Sequence, residues 1–199
     1  PWLVHGDDGF ALVEHAGEEG AETAFGRMSA FHGQMGMYVR AYAYMLSHGR
    51  DGLRQVANDA VLNANYVVSC LSDVMTPAFD GPCMHECLFD DRFLKDTGVS
   101  TLDFAKAMLD EGYHPMTMYF PLVVHGAMLI EPTETESKRG LDEFIAVMRA
   151  LVDRARAGDS DAFVAAPTMT PRRRLDETAA ARQPILRWSP EVPTAEAAE

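Results

Sequence analysis

The stretch 81-GPCMHECLFD-90 places Cys83, His85 and Cys87 within a few residues of one another. Thiolate and imidazole side chains so close can bind zinc, exchange disulfides or move protons. The run 83–89 is predicted to be a strand, and a strand alternates its faces. Cys83, His85 and Cys87 would then point one way, and Met84, Glu86 and Leu88 the other. A closed zinc site needs four ligands, usually in spaced pairs. The remaining cysteine, Cys70, stands alone on a predicted helix, so zinc is not favoured. A free cysteine often packs as a small hydrophobe. A 83–87 disulfide is excluded on a strand, where the two Cα atoms would lie about 13 Å apart. His85 and Glu86 would face opposite sides and form no acid/base pair.

Other residues could serve a site contributed by several elements. His114-Pro115 precedes a predicted strand, where loops reach into clefts. His125 has an equally ordinary reading as a loop residue. Arg92 offers a planar fork for a carboxylate or a neighbouring domain. There is no Gly-rich phosphate loop and no Gly-x-Ser-x-Gly elbow. The acidic run Glu131 to Glu136 has the wrong spacing for a calcium loop. Thr133 to Glu136 is better explained as a helix capping box.

The elements that must position these residues follow from periodicity. Residues 2–15 predict a hairpin around Gly-Asp-Asp-Gly, and 16–24 a polar joint. From Phe25, the stripe Met28, Phe31, Met35, Val39, Tyr42 and Leu46 predicts a long helix with one apolar side. Gly33 and Gly36 would interrupt its interior, and Gly49 would end it. Leu53, Val56, Ala60, Asn63, Val67 and Leu71 share one face of the next helix, and Asn63 there implies a buried polar contact. A helix over 101–111 with Thr101 near its cap, strands near 117–120 and 127–131, and a helix lined by Leu141, Phe144, Ile145, Met148, Leu151 and Val152 complete the body. Past Gly158 periodicity fades, and 166–199 predicts a tail. The order implies an α+β fold: a small, mostly antiparallel sheet with helices on one face.

The chain has 199 residues, 47% apolar and 24% charged, with a net charge of −13. That size supports one sizeable core. The charge argues against a nucleic-acid surface, since the only basic cluster, Arg172 to Arg174, runs straight into Asp176 and Glu177. No apolar run approaches membrane-span length, so no membrane partner is expected. Three cysteines without framework spacing fit a reducing, cytoplasmic setting. A start at Pro1 suggests a piece of a longer chain.

Several segments together resemble one family, the glycine cleavage system P-protein, a pyridoxal-phosphate glycine decarboxylase. They are VRAYAYM (39–45), VLNANYVVS (61–69), CMHEC (83–87), TLDFAKAMLDEGYHPMTMYFPL (101–122), MLIEPTETESK (128–138) and LDEFIAVM (141–148). RRLDETAAARQPILRW (173–188) is similar to the second subunit of the two-subunit form. The resemblance implies the small C-terminal domain of a fold-type I transferase, over 25–158. Residues 1–24 would be a hairpin and linker from a missing large domain, and 159–199 an extended tail. It implies pyridoxal phosphate as cofactor and, as partners, the missing large domain, subunit 1 and the lipoyl H-protein in an oligomer. The Schiff-base lysine is expected outside this chain, because Lys95, Lys106 and Lys138 lack the family's His-Lys, Gly-rich context. The isolated fragment would then be inactive. Candidates for the cofactor cleft are His85, His114, Thr117, Arg92 and Gln34. FHGQMG (31–36) and APTMTP (166–171) depart from the family's Phe-Tyr-Gly-Asn-Phe-Gly and His-Thr-Thr-Pro. Those departures motivate the alternative of a non-catalytic, partner-binding remnant or diverged subunit.

Overall fold

A computed structural model describes residues 2–15, 17, 26 and 33–187. The predicted joint lies outside them except for Gly17, as do Met28, Phe31, His32 and the tail from 188. The chain forms two compact units, 1–55 and 56–199.

In the first unit, β1 (Trp2–Gly6) and β2 (Gly9–Val13) pair antiparallel from Trp2↔Val13 to Gly6↔Gly9. The turn at Asp7-Asp8 is the expected hairpin, and Gly9 takes the positive φ of 106° that closes it. Helix α1 (Met35–Leu71) begins here and continues into the second unit. Gly33 has φ 107° and lies before the helix, so it is not a glycine within the helix interior as the periodicity had predicted. Gly49 (φ 62°, ψ −174°) breaks the helical path within α1, where an end was expected. The predicted apolar stripe is not a buried face among the described residues: Val39, Tyr42 and Leu46 are all exposed. Ala64, Val67 and Leu71, further along, are fully buried.

The second unit is α+β. Its sheet has the order β3-β4-β6-β5, built from β3 (Thr76–Pro77), β4 (Cys87–Asp90), β5 (Thr117–Met118) and β6 (Met128–Ile130). Every pairing is antiparallel. The register Cys87↔Ile130, Leu88↔Leu129 and Phe89↔Met128 sets Cys87, Phe89, Met128 and Ile130 into the core. The strand begins at Cys87, not Cys83. Residues 83–86 are an irregular lead-in, so the alternation expected for them does not apply.

Helices α2 (Thr101–Asp110), α3 (Lys138–Arg156) and α4 (Ser160–Ala165) complete the core. Thr101 opens α2 next to its cap, as expected, and the cap is Ser100: it accepts from the Asp103 amide while Asp103 accepts from the Ser100 amide. Thr101 is buried and donates to the Gly126 carbonyl at 2.9 Å. Ser137, not Thr133, caps α3 by accepting from the Gly140 amide. Leu141, Ile145, Met148, Leu151 and Val152 are buried, as their spacing predicts. The core runs on past Gly158. Phe163 on α4 is fully buried, stacks on Phe104 at 6.1 Å, and Phe104 meets Phe93 edge-on at 5.7 Å. Arg174 then ties the following segment back by donating to the Ala166 and Phe163 carbonyls and pairing with Asp103 at 2.7 Å. Helix α5 (Glu177–Arg182) is a short exposed turn.

Candidate functional site

A pocket of about 510 Å³ in the second unit lies between the β5 and β6 strands and the start of α3. Met116, Leu129, Ile130, Leu141 and Phe144 give it apolar walls, and Tyr113, His114, Thr117, Glu131 and Glu136 supply polar groups. An apolar concavity with a few convergent polar groups is the usual form of a small-molecule site. His114 and Thr117, selected from sequence, are therefore brought together here. Tyr113 and Phe144 pack edge-on at 5.5 Å and stiffen one wall. The 131–136 loop is fixed by a Glu136 amide to Thr133 carbonyl bond and by Asn63, which donates to the carbonyls of Thr133 and Glu136. Asn63 thus makes the polar contact its position implied, but a half-exposed one and not the buried one expected.

His85 stands in a second pocket of about 310 Å³, with Val56, Ala60, Met84, Glu131 and Thr133 among its lining residues. Its Nε2 lies 3.9 Å from an oxygen of Glu86 and 3.9 Å from one of Glu131. The lead-in is not a strand, so His85 and Glu86 can approach one another, contrary to the opposite-face expectation. The donor atoms of His85, Glu86 and Glu131 lie within 4.8 Å of one another; His85 and Glu131 are exposed and Glu86 is half-buried. Cys83 and Cys87 do not join them. Cys87 is fully buried, its thiol donates to the Ile130 carbonyl at 3.4 Å, and burial pushes its pKa up to about 12. That thiol packs and does not react.

Arg92 lies elsewhere, in a 3-10 turn (Asp91–Leu94). Its Nε donates to Asp90 at 2.7 Å, and Nη2 stands 2.6 Å from the same carboxylate. Its hydrogen bond to the Asp90 carboxylate holds the guanidinium firmly charged. Arg92 borders a groove of about 500 Å³ with Phe79, Asp91, Val123 and His125. His125 Nδ1 meets Asp91 Oδ1 at 2.9 Å, and that hydrogen bond raises the imidazole pKa above its ordinary value. Gln34 belongs to the first unit, where its carbonyl accepts from the amides of Met37 and Tyr38 at the start of α1. The five selected residues thus divide: His114 and Thr117 share a pocket, His85 and Arg92 each stand in another, and Gln34 lies in the other unit.

Glu131 escaped the sequence reading, because the acidic run was assigned to capping. Glu86 and Glu131 each lie one residue beyond the paired strands, next to Cys87 and Ile130, so it is the pairing of β4 with β6 that brings them near one another.

An α+β domain with an antiparallel four-stranded sheet and a loop-walled pocket is a scaffold shared by many activities. Residues 56–168, most of the second unit, match the family model described as glycine dehydrogenase, C-terminal domain, and the chain belongs to that family. It is 75% identical over 191 residues to a probable glycine dehydrogenase (decarboxylating) subunit 2 of Caulobacter vibrioides, covering 96% of this chain and 36% of that protein. It is 46% identical over 168 residues to a protein of the same description from Kosmotoga olearia (84% of this chain, 35% of that protein). An Oceanobacillus iheyensis relative is 42% identical over 190 residues (96% and 38%). The chain therefore spans little more than a third of the length of these relatives. No helix among the described residues is long and apolar enough to cross a membrane.

The lysines present do not fit covalent attachment of pyridoxal phosphate. A Schiff-base lysine must be able to lose its proton. Lys138 donates to Asp142 at 2.7 Å, lies over the Tyr66 ring at 5.2 Å, and the Asp142 hydrogen bond raises its pKa. Lys95 is exposed and Lys106 half-buried on α2; neither lines a pocket described above.

Proposed function

We propose that this chain is the C-terminal part of subunit 2 of a pyridoxal-phosphate-dependent glycine decarboxylase, the P-protein of a glycine cleavage system. The observation that carries this reading is the family match over the second unit, together with the 75% identity to a relative named for that activity. In the proposed reaction glycine loses carbon dioxide and its aminomethyl group passes to the lipoyl arm of an H-protein. The cofactor supplies the electron sink when bound. Its lysine lies in a part of the longer protein outside this chain, in keeping with the poor fit of Lys95, Lys106 and Lys138.

In this reading the second unit is the small domain of a fold-type I enzyme. It offers the cleft the His114–Thr117 pocket, the His85–Glu131 pair and the Arg92 fork. Subunit 1, the H-protein and an oligomeric assembly are its partners, and the cytoplasm its setting. No nucleic acid or membrane takes part, in keeping with the net charge of −13.

The test is exchange of labelled bicarbonate into the carboxyl of glycine. The polypeptide expressed from its intact gene is combined with subunit 1 and lipoylated H-protein. Exchange that requires all three components, and that falls in His114→Ala and Thr117→Val, supports the proposal. No exchange from a folded, fully assembled mixture would leave the non-catalytic, partner-binding role.

A further inference from the structure

Glu86 and Glu131 are two carboxylates that share one imidazole. Among the described residues neither pairs with a lysine or an arginine. His85, 3.9 Å from an oxygen of each, is the ion-pair partner of both. A single imidazole brings at most one positive charge to two negative ones. Like charges this close repel, and more strongly where apolar walls thin the water. Here Val56, Ala60 and Val61 of α1 line the pocket that His85 and Glu131 border. A divalent cation supplies the charge that the imidazole does not.

The distances suit one ion. All three donor atoms lie within 4.8 Å of one another, and both imidazole–carboxylate separations are 3.9 Å. Zinc holds an imidazole nitrogen at about 2.0–2.1 Å and a carboxylate oxygen at about 2.0–2.2 Å, so two ligands on one ion stand roughly 3–4 Å apart. Small side-chain rotations close the observed spacing onto a common centre. One nitrogen and two carboxylates match zinc and its first-row neighbours, whereas magnesium and calcium favour all-oxygen sets. Three protein ligands leave a fourth place for water, as in open, exchangeable sites. Cys83 and Cys87 take no part.

The backbone that carries these ligands is fastened to α1. Asn65 donates to the Cys83 carbonyl at 2.8 Å and accepts from the Cys83 amide at 3.0 Å. Asn63 holds the Thr133 and Glu136 carbonyls. The pairing of Cys87 with Ile130 fixes the residue after Glu86 and the residue before Glu131. Both ligand-bearing segments, 83–87 and 130–133, are therefore anchored on either side. Such support sets the ligands before an ion arrives, so little ordering entropy opposes its binding. We propose that His85, Glu86 and Glu131 form a binding site for one divalent cation of the zinc type. The ion joins the 83–86 lead-in to the 131–136 loop, and the proposal is independent of the glycine decarboxylase reading.

The experiment uses the polypeptide expressed from its intact gene, freed of metal by dialysis against a chelator. It is titrated with cobalt(II) alone, a spectroscopic substitute for zinc. The expected result is saturable binding with visible d–d bands, no thiolate-to-cobalt charge-transfer band, and displacement by zinc. His85→Ala and Glu131→Gln, both at exposed positions, should each weaken binding at least about tenfold. Asn65→Ala, which removes no ligand, should weaken it about tenfold while keeping the same bands. Glu134→Gln changes a carboxylate that borders the same pocket and should leave binding unaltered. Binding that is absent, that shows the thiolate band, or that survives His85→Ala or Glu131→Gln undiminished overturns the proposal. Equal weakening in Glu134→Gln also overturns it, because that marks diffuse attraction of cations to an acidic surface. Should a variant fail to fold, the His85 ring answers in its place. Its NMR resonances in the unaltered protein must shift as zinc is added, and resonances that stay put overturn the proposal.

Discussion

The Asn63 side-chain amide donates to the Thr133 carbonyl oxygen at 2.9 Å, across 70 residues of sequence. A second bond, to the Glu136 carbonyl at 3.3 Å, closes the grip. One side chain on α1 thereby sets the loop that walls both the His114 and the His85 pockets. Asn63→Ala leaves two carbonyls without that donor, and the expected loss is about 1–2 kcal/mol. Urea unfolding measures it, and faster amide exchange over 133–136 should accompany it.

His125 carries a pH prediction. Its hydrogen bond to Asp91 raises its pKa above the ordinary 6.5. A raised imidazole stabilises the fold fully below its unfolded value and loses that contribution as pH rises through the folded value. NMR titration of the His125 ring should show a midpoint above 6.5 that falls back toward it in Asp91→Asn. A midpoint indifferent to that substitution would refute the pairing.

Gly126 is required by its neighbour as well as by its backbone. At φ 58° it occupies the left-handed region, and an added Cβ would fall inside the Asp91 carboxyl. Gly126→Ala must displace Asp91, strain the backbone, or both, at an expected cost of about 2 kcal/mol. Thermal unfolding reads the loss, and the raised His125 midpoint should disappear in the same variant.

Phe163 tests how far the packed body extends. It is fully buried between Phe104 and the Arg154 guanidinium, which lies 5.4 Å from its ring centre. Phe163→Ala should cost about 3–5 kcal/mol. A loss below 1 kcal/mol in chemical unfolding would mean that α4 contributes little to the core.

The sequence revealed the parts governed by strong periodicity. The α3 stripe, the Gly49 break and the polar contact of Asn63 all lie where spacing placed them. It failed where tertiary partners decide. The Thr133–Glu136 box obeys a local rule, yet Ser137 caps α3, because Asn63 engages the loop carbonyls and the helix starts later. The stripe Val39, Tyr42 and Leu46 has core periodicity but no cover within the described residues, which fits a face awaiting a partner. Cys83 to Glu86 carry strand-like alternation, yet pairing with β6 begins only at Cys87. The assembly of His114 with Thr117 depends on β5 joining β6, a long-range pairing that local spacing does not encode. The grouping of Glu131 with His85 and Glu86 becomes visible only once β4 and β6 are known to pair.

Glu131 borders both the His114 pocket and the His85 pocket. It acts as a party wall, so a replacement there is felt in both rooms at once. A variant of Glu131 that loses activity therefore assigns the loss to neither side. Only changes made on the far walls, at His114 in one and at His85 in the other, separate the two contributions.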